Sequence, residues 1–81
     1  MTVRVAAFAR VREILGAPAR DVELPDGATA GDAWRALEAS APDLSQLRAS
    51  TRLARNGAFV DGTAVLTNGD ELALLPPVGG G

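Results

Sequence analysis

The chain has no cysteine, no histidine, no lysine and no tyrosine. Without cysteine or histidine it can form no disulfide, thiol nucleophile, imidazole acid–base or Cys/His metal centre. Without lysine it has no side-chain amine for isopeptide attachment. All eight basic residues are arginine, a compositional bias that accompanies abundant alanine and glycine. Aromatics are confined to Phe8, Trp34 and Phe59. No apolar run approaches a membrane span, and no membrane partner is expected. Met1-Thr2-Val3-Arg4 enters an apolar stretch without the basic and long apolar regions of a secretory leader, so a soluble, cytoplasmic protein is expected. The formal net charge of −2 leaves no electrostatic footprint for nucleic acid.

What is present suits one small domain. At 81 residues there is no room for a second, and 47% hydrophobic residues suffice for a core. Residues 2–9 alternate as a strand, with Val3, Val5 and Ala7 on one face and Arg4, Ala6 and Phe8 on the other. Val11, Ile14 and Leu15 predict a short helix over Ala9 to Leu15, closed by Gly16. Asp21 to Leu24 reads as a second strand, antiparallel to the first, and stops at the turn Pro25-Asp26-Gly27.

The main helix begins at Thr29, an N-cap residue with Asp32 three positions on. Ala30, Ala33, Trp34, Leu37 and Ala41 form its apolar face, and Pro42 marks its end. Trp34 at that spacing reads as core. Arg35 and Glu38 are expected to pair on the wet side. A connecting stretch with a helical turn near Leu44 and Leu47 follows. Short strands at residues 52–55 and 58–60 are separated by Asn56-Gly57, with Asp61-Gly62 turning the chain again. The last strand runs from Glu71 to Leu75, with Leu72 and Leu74 on one face and Ala73 and Leu75 on the other. One helix packed on one sheet buries both apolar faces most simply. Parallel first and last strands at the sheet's centre fit this order.

The end of the chain carries the functional signal. After Leu75 come Pro76-Pro77-Val78-Gly79-Gly80-Gly81. Two prolines favour a stiff, extended segment that cannot donate to a sheet, and the glycines let backbone pass through a narrow slot. Six extended residues reach roughly 20 Å from the domain. Such a tail delivers the Gly81 α-carboxylate, ionised above a reference pKa of roughly 3.5, into another protein's active site. The domain is therefore expected over residues 1–75 and the flexible tail over 76–81.

Three stretches carry a resemblance: Phe8-Ala9-Arg10-Val11-Arg12-Glu13, Asn68-Gly69-Asp70-Glu71-Leu72-Ala73, and Pro76 to Gly81. In order and spacing the chain resembles the ubiquitin-like sulfur-carrier family, in the branch formed by the small subunits of molybdopterin synthase. Gly79 departs from that branch, whose members often carry another small residue there.

The resemblance implies an α+β, ubiquitin-like β-grasp fold, a mixed sheet packed on one main helix. It also implies a cycle run on Gly81. A ubiquitin-activating-like adenylyltransferase would use ATP to make a transient acyl-adenylate. A sulfurtransferase would convert this to a thiocarboxylate. The synthase large subunit, expected in a heterotetramer, would pass the sulfur to the cyclic pyranopterin monophosphate precursor. The chain would supply the reacting group and bind no cofactor or metal stably, the catalytic groups belonging to its partners. Related carriers for thiamine, cysteine or tRNA thiolation, and ubiquitin-like modifiers, share the Gly-Gly terminus and stay open.

A carrier handed between partners needs an exposed apolar patch beside its tail. Strand alternation places Phe8 and Leu75 on the face away from the helix, where Phe59 joins them and Arg12 supplies a charged rim. The other reading makes these apolar residues a second small core.

Overall fold

The computed structural model describes residues 1–77; Val78, Gly79, Gly80 and Gly81, all assigned to the tail, lie outside the described residues. Strand β1 (Thr2–Ala7) leads into helix α1 (Ala9–Leu15), strand β2 (Ala19–Glu23) and helix α2 (Ala30–Ser40). A 3-10 segment (Pro42–Ser50) then precedes β3 (Arg52–Arg55), β4 (Ala58–Val60) and β5 (Glu71–Leu75). The five strands form one mixed sheet in the order β2-β1-β5-β3-β4. Strands β1 and β5 pair in parallel at its centre, and the other neighbours are antiparallel. This is the β-grasp arrangement.

Alternation decides which face is buried. Val3, Val5 and Ala7 of β1 and Leu72 and Leu74 of β5 point inward and are buried. They meet Ala30, Ala33, Trp34 and Leu37 from α2 in one cluster, which Val11 and Leu15 of α1 and Leu44 of the 3-10 segment complete. Burying each large aliphatic side chain contributes about 1.5–3 kcal/mol, so the sheet and α2 hold each other in place. Trp34 is core, 2% exposed.

The helices start and stop where local chemistry says they should. The Thr29 hydroxyl accepts from the Asp32 N–H at 3.2 Å, and the Asp32 carboxylate accepts from the Thr29 N–H at 2.9 Å. This reciprocal cap satisfies two N–H groups that would otherwise lack partners. At the far end Ala41 donates back to Leu37 and Glu38, and Pro42 opens the 3-10 segment instead of extending α2. Gly16 closes α1 in the left-handed region, φ 75°.

Four sequence expectations change. Strand β1 ends at Ala7 instead of residue 9, because Phe8 caps α1 and Ala9 turns the chain with φ 52°. Strand β2 spans Ala19–Glu23 instead of residues 21–24, because its register with β1 extends to Ala6 opposite Ala19. The connecting stretch forms a nine-residue 3-10 segment, more ordered than a single turn. Arg35 and Glu38 do not pair. Arg35 bonds Asp32, and Glu38 accepts the indole Nε1–H of Trp34 at 2.9 Å. The buried indole needs an acceptor, and a helix neighbour four residues on supplies it.

Candidate functional site

Strand β5 ends at Leu75 in the middle of the sheet, flanked by β1 and β3. The chain then leaves as Pro76 and Pro77, both exposed. Their root rests in a cleft of about 60 Å³ whose walls include Phe8, Ala9, Leu47, Thr51, Pro76 and Pro77. The tail thus departs from a strand paired on both sides, between the start of α1 and the end of the 3-10 segment. Gly79, Gly80 and Gly81, with Val78, lie outside the described residues.

The outer sheet face follows from the register. Ala6 lies beside Ala73, Ala73 beside Ala54 and Ala54 beside Phe59. One row nearer the tail, Leu75 faces Arg52. Phe8 follows Ala7 with extended backbone, so alternation points its side chain away from the core, and it lines the tail-root cleft. Phe8 is 44% exposed and Phe59 60% exposed, while Leu75 is half-buried. These exposures do not fit a second core. Arg12 is exposed on α1, and it is Arg10 that lines the tail-root cleft.

Sequence reasoning did not find the residues that join these parts. The alanines at positions 6, 54 and 73 make the face flat, and their signal is a small residue at each outward position. Arg52 spans the gap between Leu75 and Phe59, its guanidinium Cζ 4.1 Å from the Phe59 ring centroid. Nothing local marks that contact.

Two carboxylates at the turns flanking the sheet are already engaged. The Thr63 hydroxyl and N–H hold the Asp61 carboxyl below its usual pKa. The Thr67 N–H, the Asn56 amide and the Thr67 hydroxyl do the same for buried Asp70. Among the described residues no group of three or more His, Cys, Asp or Glu could hold a metal, and no helix is long and apolar enough to cross a membrane. The arrangement anchors a chain end and presents a flat apolar face beside it.

The ThiS family profile matches residues 5–81. The molybdopterin synthase sulfur carrier subunit of Arabidopsis thaliana is 34% identical over 79 residues, which cover 98% of this chain and 82% of that protein. Among solved structures, SAMP1 from Haloferax volcanii superposes with a TM-score of 0.87 at 32% identity, covering 100% of both chains. A chain of the complex of subunits 1 and 2 of the molybdopterin-converting factor from Helicobacter pylori 26695 superposes with a TM-score of 0.70 at 26% identity, again covering 100% of both.

Proposed function

The chain belongs to the ThiS family, and from that premise we propose that it is the sulfur-carrier subunit of a molybdopterin synthase. The Gly81 carboxylate attacks the α-phosphate of ATP in an activating enzyme, releasing pyrophosphate and leaving an acyl-adenylate. A sulfur donor displaces AMP to give the thiocarboxylate, and the sulfur then passes to the pyranopterin precursor in the large subunit. The chain itself supplies the carrier end and the surface that presents it.

The observation that carries this reading is the family match running through the tail to Gly81. The likeness to a named sulfur carrier subunit of such a synthase supports the choice of pathway. The Helicobacter pylori complex supports a large subunit as the partner. Glycine at positions 80 and 81 lets the carboxylate reach an enclosed phosphate without a side-chain clash.

The test is intact mass after incubation with an activating enzyme, ATP and a sulfur source. A gain of about 16 Da, the exchange of oxygen for sulfur, is expected once oxidation of Met1 is excluded. Deleting Gly81, or placing a bulky residue at Gly80, abolishes that gain while leaving the circular dichroism of the fold unchanged. A Gly81-deleted chain that still formed an acyl-adenylate would overturn the assignment. The likeness to SAMP1, a small archaeal modifier protein, favours a second reading, protein modification. Covalent adducts with other proteins and no thiocarboxylate would select it.

A further inference from the structure

Five of the eight arginines use their guanidinium donors within the fold. Arg4 meets Asp21, Arg10 meets Glu13 and Arg35 meets Asp32, while Arg20 and Arg55 bond the carbonyls of Leu15 and Val65. Arg48 and Arg52 make no ion pair or side-chain hydrogen bond among the described residues, and both line one open cleft of about 190 Å³. Each is held by an aromatic ring instead. Arg52 lies 4.1 Å from the Phe59 centroid and Arg48 5.9 Å from that of Trp34. A guanidinium lying on a ring keeps its rim of N–H donors available for a planar, bidentate acceptor.

Their backbone is fixed as well. The Thr51 hydroxyl donates to Leu47 O at 2.7 Å and its N–H to Arg48 O at 3.3 Å, locking the corner between the 3-10 segment and β3. Gly62 has no side chain where Arg48 Nη2 approaches; a Cβ there would lie 3.1 Å from it. The carboxylate in the same cleft, Asp61, is turned to the N–H and hydroxyl of Thr63. Thr51 borders both this cleft and the tail-root cleft, and Arg52 pairs with Leu75, the last residue before the tail.

We propose that Arg48 and Arg52 form a receptor for carboxylates on an acidic segment of the protein that receives the tail. Charge complementarity selects that occupant: two unpaired cations sit on a chain of net charge −2, which favours a local acidic contact over binding to a polyanion. The identity of the receiving protein rests on the sulfur-carrier reading. The receptor itself does not.

Two titrations test it. The ¹⁵N-labelled chain is titrated with a hexaglutamate peptide and, separately, with a six-nucleotide single-stranded DNA. The peptide is expected to shift the Nε–H signals of Arg48 and Arg52 more than that of exposed Arg12. Equal shifts at all arginines, or a response to DNA alone, overturn the proposal. The full chain and an Arg48→Met/Arg52→Met variant are then titrated with a molybdopterin synthase large subunit across a range of salt. Methionine keeps the packing on Trp34 and Phe59 and removes the charge. The variant is expected to bind about tenfold more weakly with a shallower salt dependence, whereas Arg20→Gln on the far edge strand matches the unaltered chain. Equal affinity and slope in a folded double variant overturn the proposal. If the unaltered chain does not bind that subunit, the sulfur-carrier reading fails and the peptide titration alone decides the receptor.

Discussion

The Asn56 side-chain amide donates to the carboxylate of Asp70 across 2.9 Å, tying the β3–β4 turn to the loop that launches β5. Asn56 also accepts from the Glu71 N–H at 2.9 Å, and Asp70 accepts from the Thr67 N–H at 2.8 Å. Asp70 is 8% exposed, so its charge is held by hydrogen bonds and not by water. The strand that carries the tail is therefore fixed at its start by one buried carboxylate.

This carboxylate contributes to the acid limit of the fold. The Thr67 N–H, then the Asn56 amide, lower its pKa in the folded state. A lowered folded-state pKa contributes stability that is present above the unfolded value of about 3.9 and is lost as pH falls through the folded value. Asp32 and Asp61 are lowered too and act in the same direction. Stability by urea denaturation is expected to decline as pH drops below about 4. Asp70→Ala removes an acceptor from three donors and costs about 1–3 kcal/mol at neutral pH. An Asp70→Ala profile that still fell with the same slope would assign the acid loss to the other two carboxylates.

Three substitutions on α2 separate the bond the structure contains from the pair that spacing rules suggest. Glu38→Ala leaves the buried Trp34 Nε1–H without its acceptor and is expected to cost about 1–2 kcal/mol. Glu38→Gln keeps an acceptor and is expected to be close to neutral. Arg35→Ala loses only an exposed contact to Asp32, a change of about 0.5 kcal/mol or less. Guanidinium denaturation of the three variants checks the order, and equal costs at Arg35 and Glu38 would contradict it.

Ala9 turns the chain from β1 into α1 with φ 52°, a left-handed conformation for a residue with a Cβ. Phe8 before it is extended, φ −132° and ψ 156°. Relief of about 1–2 kcal/mol of left-handed strain, less about 0.4–1 kcal/mol of added chain entropy, makes Ala9→Gly stabilising by up to about 1.6 kcal/mol. The urea midpoint is expected to rise with an unchanged m-value. A lower midpoint would show that the corner is not strained.

What was legible in the sequence was local. The Thr29–Asp32 cap, the Gly16 closure and the inward sides of β1 and β5 follow from residues within one or two turns of each other. The tail's role is read from residue types alone, and its last four residues lie outside the described structure. What stayed hidden depends on register and tertiary approach. Ala54 sits beside Phe59 only once β3 and β4 have paired, and Arg48 reaches the Trp34 ring only once the 3-10 segment packs on α2. Glu38 was misassigned because a charge-pair rule competed with the indole's need for an acceptor. Nothing in an alanine announces the conformation of Ala9.

The outer face yields the last prediction, and exposure separates its members. Phe59 projects from edge strand β4 and touches the fold chiefly through Arg52. Phe59→Ala therefore forfeits about 0.5–1 kcal/mol of exposed cation–π contact and little else in the free protein. If the face docks the large subunit, the same change weakens binding by about 1–3 kcal/mol, the range of an aromatic anchor. Phe8→Ala is expected to behave alike, since that ring is also exposed. Leu75 is half-buried between β1 and β3, so Leu75→Ala is expected to lower stability and affinity together. Arg12 stands apart from the tail-root cleft, and Arg12→Ala is expected to change affinity least of the four. Thermal unfolding paired with titration against the large subunit reads both quantities. Marked destabilisation by Phe59→Ala with unchanged affinity per folded molecule would place Phe59 in the structural inventory and remove it from the interface.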